Sequence, residues 1–146
     1  MNDHLTATDA DDLIQRLGLA PHPEGGHFRE VYRHEDEFGG RGAVSTIYFL
    51  LKAGEVSKWH RVDADEIWHH YDGAPLELSL AEKEGVDVQT LTLGKDITDS
   101  EAPVHVVPAN YWQAAKSLGT WTLVGCTVAP AFEFEGFEMA SNGWSP

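Results

Sequence analysis

Cysteine occurs once in the 146 residues, basic side chains number only ten, and no apolar run approaches the length of a membrane span. Each scarcity excludes something. A single thiol, Cys126, leaves no internal disulfide to form, and its setting in WTLVGCTVA is that of a buried, inert core residue. Ten bases against 24 acids give a formal charge of −14, which repels phosphate backbones and anionic lipid at long range, so neither nucleic acid nor a membrane surface is an expected partner. A bilayer-crossing helix needs roughly 20 consecutive apolar residues. The opening MNDHLTATDADDL is acidic where an export signal would be basic and then apolar. A soluble, cytoplasmic protein is therefore expected.

What is present suits one globular domain over 1–146: 42% of the residues are apolar and 10% aromatic, and a second core would leave each half marginal. Helical period is confined to ADDLIQRLGL, where Leu13, Ile14 and Leu17 share a face, Thr8 or Asp9 supplies a cap and Gly18 a stop, which predicts a short helix over about 9–18. Asp11 and Asp12 fall in its first turn, where negative charge suits the helix dipole. PHPEGG reads as a turn. From HFREVYRH onward the pattern is that of strands: VSTIYFLLK at 44–52, a hairpin of LELSLAE and VDVQTLTLG about KEG, then APVHVVPANYW, WTLVGCTVAP and FEFEGFEMA. In the first of them, alternation places Phe28, Glu30 and Tyr32 on one face and His27, Arg29, Val31 and Arg33 on the other. An all-β chain of about eight to ten short strands manages its edges as a sandwich, barrel or jelly roll, here over about 27–140.

The densest chemistry lies in SKWHRVDADEIWHHYDG, residues 57–73. From Gly54, five intervening residues lead to His60; Val62, Glu66 and Gly73 follow at intervals that match a glycine, a His-x-His pair, a glutamate and a turn glycine, with Val62 in place of the second histidine. This resembles the first motif of the cupin superfamily. PANYWQ is similar to its second motif, with Pro108 matching, Asn110 standing for a glycine and Gln113 for a histidine; Asn tolerates the left-handed backbone such a turn demands. Together with HPEGGHFREVYR, STIYFLL, WHRVDADEIWHHYDGAPLEL and WTLVGCTVAPAFEFEGFEMA, these stretches resemble the small cupin-5 proteins across about residues 10–140. The resemblance implies a cupin jelly-roll barrel, a homodimer and no established reaction, and a fold by itself does not choose a function.

Three functional readings follow. In the first, a complete cupin set holds a divalent iron, manganese, nickel or zinc ion through three histidines and a glutamate; here the set is His60, Glu66 and Gln113, or His60, Glu66 and an inward-turned His70, since Trp68 and His70 share the strand face of Glu66. A second reading needs no metal. Cupin-fold sugar-nucleotide epimerases are similar in barrel and use a histidine base with a tyrosine acid, which assigns His60 as base, Glu66 or Asp63 as its orienting group and Tyr48 or Tyr32 as acid. The third is a binding module for a small polar, carbohydrate-related metabolite, with Trp59, Trp68, Trp112 and Tyr48 as its wall and Arg33, His60, His70 and Gln113 as polar anchors. His4, His34 and His105 fall outside the constellation, His69 faces outward, and Asp63, Asp65 and Asp72 read as turn residues.

Overall fold

The computed structural model describes residues 9–146; His4 and the alternative cap Thr8 lie outside the described residues. Helix α1 (Ala10–Leu17) starts where the Asp9 carboxylate accepts the Asp12 N–H at 2.9 Å and ends at Gly18, whose φ of 68° turns its own N–H back onto the last carbonyls. Its apolar face, Leu13, Ile14 and Leu17, packs on Leu50 and Leu123. Among the described residues no helix is long and apolar enough to cross a membrane.

Eleven strands follow among the described residues: β1 (Ala20–Pro21), β2 (His27–Arg33), β3 (Ser45–Lys52), β4 (Val56–Val62), β5 (Asp65–Gly73), β6 (Leu76–Ala81), β7 (Gln89–Leu93), β8 (Val104–Val107), β9 (Trp112–Ser117), β10 (Trp121–Ala129) and β11 (Phe137–Met139). They form two antiparallel sheets, ordered β1-β2-β3-β10-β5-β8 and β11-β4-β9-β6-β7. The inner faces meet in a jelly-roll core of Phe49, Leu51, Trp68, Leu76, Leu78, Leu80, Leu93, Val107 and Val124. Burying each large side chain of this set contributes about 2–3 kcal/mol. Across its middle the rings of Phe49 and Trp68 meet edge to face, 6.1 Å between centroids. This aromatic plug stands along the inward face of β5 between Glu66 and His70.

Two bulges set which side chains reach the cavity. In β2 the pairing with β3 slips between Glu30 and Tyr32, so Val31 is the extra residue and Arg33, opposite Ser45, joins the inward face of Phe28 and Glu30 instead of the face of Arg29. Simple alternation had placed Arg33 with Arg29; the bulge overturns that, and Arg29 stays outside, donating to the Leu17 carbonyl at 3.3 Å. In β4 the register against β9 shifts between Ser57 and His60. Residues separated by an odd number of steps, Ser57 and His60, therefore both turn inward.

Candidate functional site

His60, Val62 and Glu66 line one cavity of about 100 Å³ with Cys126, Val128, Phe28 and Ile47, and the mouth is formed by Arg33, Glu30, Phe132 and Phe134. Its two most polar further members come from a segment read in sequence only as a turn. The loop between β1 and β2 closes on itself through His22 N–H to the Gly26 carbonyl (2.9 Å) and Gly25 N–H to the His22 carbonyl (3.0 Å), and this delivers His22 and Glu24 into the barrel. Gly25 has φ 110°, and a β-carbon there would run into the Val56 carbonyl; at Gly26 (φ 77°) it would lie 2.8 Å from the Leu50 carbonyl. Only glycine lets the loop press this close to β3 and β4. The Lys58 N–H then ties the Glu24 carbonyl to β4 at 2.8 Å.

The polar groups at the cavity floor interlock. The Ser57 hydroxyl donates to Glu24 Oε1 at 2.7 Å, and Glu24 Oε2 stands 3.2 Å from His60 Nε2 and 3.8 Å from His22 Nδ1. His60 Nδ1 lies 2.6 Å from the Lys58 carbonyl, which has only lone pairs to offer, so Nδ1 carries the proton and Nε2 presents a lone pair to Glu24. His22 Nδ1 accepts the Glu24 backbone N–H at 3.1 Å. A neutral Glu24 carboxyl donating to a neutral imidazole satisfies every one of these contacts. The electrostatics agree. Burial pushes the Glu24 carboxyl up to about 8, with the Ser57 hydrogen bond opposing it, and burial, with a smaller push from His60, drives His22 down to about 4. Burial likewise lowers His60 against the opposing pull of Glu66. Although the Glu24–His60 distance is that of an ion pair, desolvation of both groups favours the shared proton over separated charge.

Glu66 is the second buried carboxyl, raised to about 7 by burial with His60 pulling it down and Glu24 adding to the rise. Gln113 Nε2 donates to Glu66 Oε1 at 2.9 Å, while Gln113 Oε1 accepts the Trp68 indole N–H, also at 2.9 Å. Trp68 is 1% exposed and so acts from within the core: its N–H sets which way the amide points, and the amide holds the carboxyl. The Cys126 thiol borders the same carboxyl and is held protonated, its acidity suppressed chiefly by burial.

Several residues expected at the site are elsewhere. Tyr48 lies on the outer face of β3, in the cluster under α1 and edge-on to Tyr71 at 6.3 Å; Tyr32 is 53% exposed. Among the described residues no tyrosine lines the cavity, so neither Tyr48 nor Tyr32 stands there as the acid. Asp63 points outward into a two-bond pair with Arg41 at 2.8 and 3.0 Å and does not orient His60. Trp59 and Trp112 sit outside the barrel; Trp112 is covered by the Arg61 guanidinium, 4.7 Å above its ring, and by Trp144, 4.6 Å between centroids. Arg33 reaches the mouth, where its Nε and Nη2 donate to Glu30 at 3.1 and 2.8 Å and its charge is met by that carboxylate. His70 does turn inward, as parity required, yet it bonds the Ala74 carbonyl at 3.0 Å on the far side of the Phe49–Trp68 plug. Four residues of strand put it about 13 Å along β5 from Glu66. Asn110 has the left-handed φ expected of it, 69°, and its N–H bonds the Val62 carbonyl at 2.7 Å.

These placements decide the fit of a divalent metal. The position of the second histidine is Val62, buried and without a donor atom; the one ligating atom of Gln113 is turned to Trp68; His70 is behind the plug; and His22 Nδ1 is occupied by a backbone N–H. Among the described residues no three His, Cys, Asp or Glu side chains are arranged to hold a metal ion. The donor set does not fit the group.

The chain matches the family model described as Cupin superfamily (DUF985) over residues 11–140. No curated protein matches it. Among solved structures, a protein from Shewanella oneidensis is 40% identical, with 92% of this chain and 85% of that chain covered and a TM-score of 0.86. A hypothetical protein from Leishmania major is 30% identical over 92% of this chain and 88% of its own, with a TM-score of 0.83. At 14% identity the likeness concerns the fold alone: Bacillus subtilis oxalate decarboxylase aligns with 82% of this chain and 29% of its own at a TM-score of 0.62. With the two facing sheets, the Gly54–His60–Glu66–Gly73 spacing and the matched span all in agreement, the chain belongs to the DUF985 family of the cupin superfamily.

Proposed function

We propose that the cavity takes a small, uncharged, oxygen-bearing metabolite of the hydroxy-carbonyl class and exchanges protons with it without a metal. The observation that carries this reading is the pair of buried carboxyls on one cavity with unlike partners: Glu24 faces the Nε2 lone pair of His60, which calls for a proton on the acid, whereas Glu66 accepts the Gln113 N–H, which suits a carboxylate. Two carboxyls whose surroundings differ in this way can divide the roles of acid and base. At neutral pH Glu66, fixed by Gln113, supplies the carboxylate that takes a proton from the carbon beside a carbonyl; Glu24, which shares its proton with His60, delivers one to the carbonyl oxygen. The product of that step is a neutral enediol; Glu66 then returns its proton to the other carbon or the other face while an enediol hydroxyl gives its proton back to the Glu24 carboxylate, which yields the isomer and restores both groups.

The size and charge of the cavity support the ligand class. About 100 Å³ corresponds to roughly three water molecules at ~30 Å³ each, enough for the reacting end of a small sugar, with the remainder at the Phe132 and Phe134 mouth. Anionic groups are poorly served, because the one arginine at the mouth is committed to Glu30. Solvent deuterium should enter C2 of small hydroxyketones and aldoses in the presence of the protein, and Glu66→Gln should stop it. Thermal stabilisation by such compounds with no exchange over a broad panel would instead identify a non-catalytic binder. We also propose a homodimer: β8 is a sheet edge whose Val104 and Val106 are 46% and 52% exposed, and an apolar edge of this kind is relieved by a second copy.

A further inference from the structure

On the opposite side of β4 from the proton-sharing cavity lies a larger groove of about 390 Å³, open to solvent, that the proposed reaction does not use. Its floor is the outer face of β9 and β6, where Ala114 and Ser79 are too small to fill it. One wall is Trp59. The other is the strap after β11, which is pinned by the Ala140 N–H on the Trp59 carbonyl at 3.0 Å and closed by a turn from Trp144 N–H to the Ser141 carbonyl, also 3.0 Å. Trp144 is not a loose end: its ring rests on Trp112, which the Arg61 guanidinium covers in turn. Two indole side chains thus line a preformed slot of the size that ordinary ligands occupy.

Charge selects the ligand. The chain carries only ten basic residues against 24 acids, yet Lys58 and Lys116 both border this groove. Lys116 stands 3.6 Å from Glu77, whereas Lys58 has no acidic partner among the described residues. In a protein this acidic, two ammonium groups beside two indoles form a locally favourable place for an anion with a flat apolar body. We propose that this groove is a second binding site, distinct from the barrel cavity, for a planar aromatic carboxylate: the ring lies along Trp59 and Trp144 over Ala114, and the carboxylate meets Lys58 and, by displacing Glu77, Lys116.

The test uses 2-naphthoate as probe and isothermal titration calorimetry on the 146-residue chain, with 2-naphthalenemethanol as the uncharged control. Lys58 and Glu77 line the groove and not the barrel cavity, so the response of binding to changes at these two residues reports the groove. It should bind with a submillimolar Kd, and the alcohol about fivefold more weakly, since an exposed charge pair contributes up to about 1 kcal/mol. Lys58→Met, a change at an exposed side chain that leaves the fold intact, should weaken naphthoate about fivefold. Glu77→Gln should strengthen it by about threefold by releasing Lys116, a gain that damage to the fold would not produce. Trp144→Leu should weaken it about tenfold. Absence of binding at millimolar probe, equal affinity for the alcohol, or affinities that ignore both Lys58→Met and Glu77→Gln would overturn the proposal.

Discussion

Replacing Glu24 by glutamine is the sharpest probe of the proton-sharing cluster, because the amide reproduces the neutral carboxyl almost atom for atom. Its oxygen still accepts from Ser57, and its NH2 still donates to His60 Nε2. What it removes is the ability to ionise. The native carboxyl holds its proton to about pH 8, against 4.5 for an unperturbed glutamate, so between those values the folded state binds one proton more than the unfolded state. The stability this contributes is complete below pH 4.5 and is lost as pH rises through 8, at about 1.4 kcal/mol per pH unit. Over the whole interval the loss amounts to about 5 kcal/mol as an upper bound. Part of it is masked. His22, held down to about 4 from 6.5, works with the opposite sign, its contribution being present above 6.5 and lost as pH falls towards 4. Glu66, raised to about 7, adds to the decline up to that pH, but His22 and Glu66 are common to the wild type and Glu24→Gln and cancel in the comparison, so between about pH 6.5 and 8 the difference due to Glu24 is worth about 2 kcal/mol. Urea unfolding followed by circular dichroism at half-unit steps across this window should show the wild-type chain losing about that much more stability than Glu24→Gln, with the two curves converging only towards pH 4.5, where the carboxyl is protonated in folded and unfolded chains alike. Parallel curves would refute the reasoning. So would a loss of more than about 3 kcal/mol by the variant at pH 6, which is the signature of a carboxylate torn from an imidazolium.

Other expected outcomes follow from particular contacts. Gly25→Ala meets the Val56 carbonyl at a φ of 110° and should cost about 3 kcal/mol or more in chemical denaturation, together with loss of any deuterium exchange, since Glu24 is withdrawn with the loop. Trp68→Phe keeps the plug but removes the N–H that orients Gln113; a loss of about 1–2 kcal/mol is expected, and deuterium exchange should fall through kcat more than through KM, because Glu66 is mispositioned while the cavity wall is retained. If β8 mediates association, Val106→Lys should convert the dimer to a monomer in light scattering with an unchanged circular dichroism spectrum.

Much of this protein is determined by local pattern. The cap at Asp9 and stop at Gly18, the strand alternation that turns Glu66, Trp68 and His70 to one side, the φ of Asn110 and the family spacing from Gly54 to Gly73 all depend on residues a few positions apart, and all are legible in the sequence. The candidate site is legible only in part. His60 and Glu66 could be read from spacing, but Glu24 lies 36 positions before His60, and PHPEGG shows turn chemistry whether or not its acid is buried. The paired glycines were the available signal: two in succession mark a backbone that must approach something closely. Tertiary structure decided the rest. Bulges in β2 and β4 move Arg33 and Ser57 to faces that alternation does not assign, a plug of Phe49 and Trp68 shuts His70 away from Glu66, and an indole N–H turns the oxygen of Gln113 from the cavity. Each of these depends on a partner from another strand, and a period-two pattern carries no record of what will stand opposite.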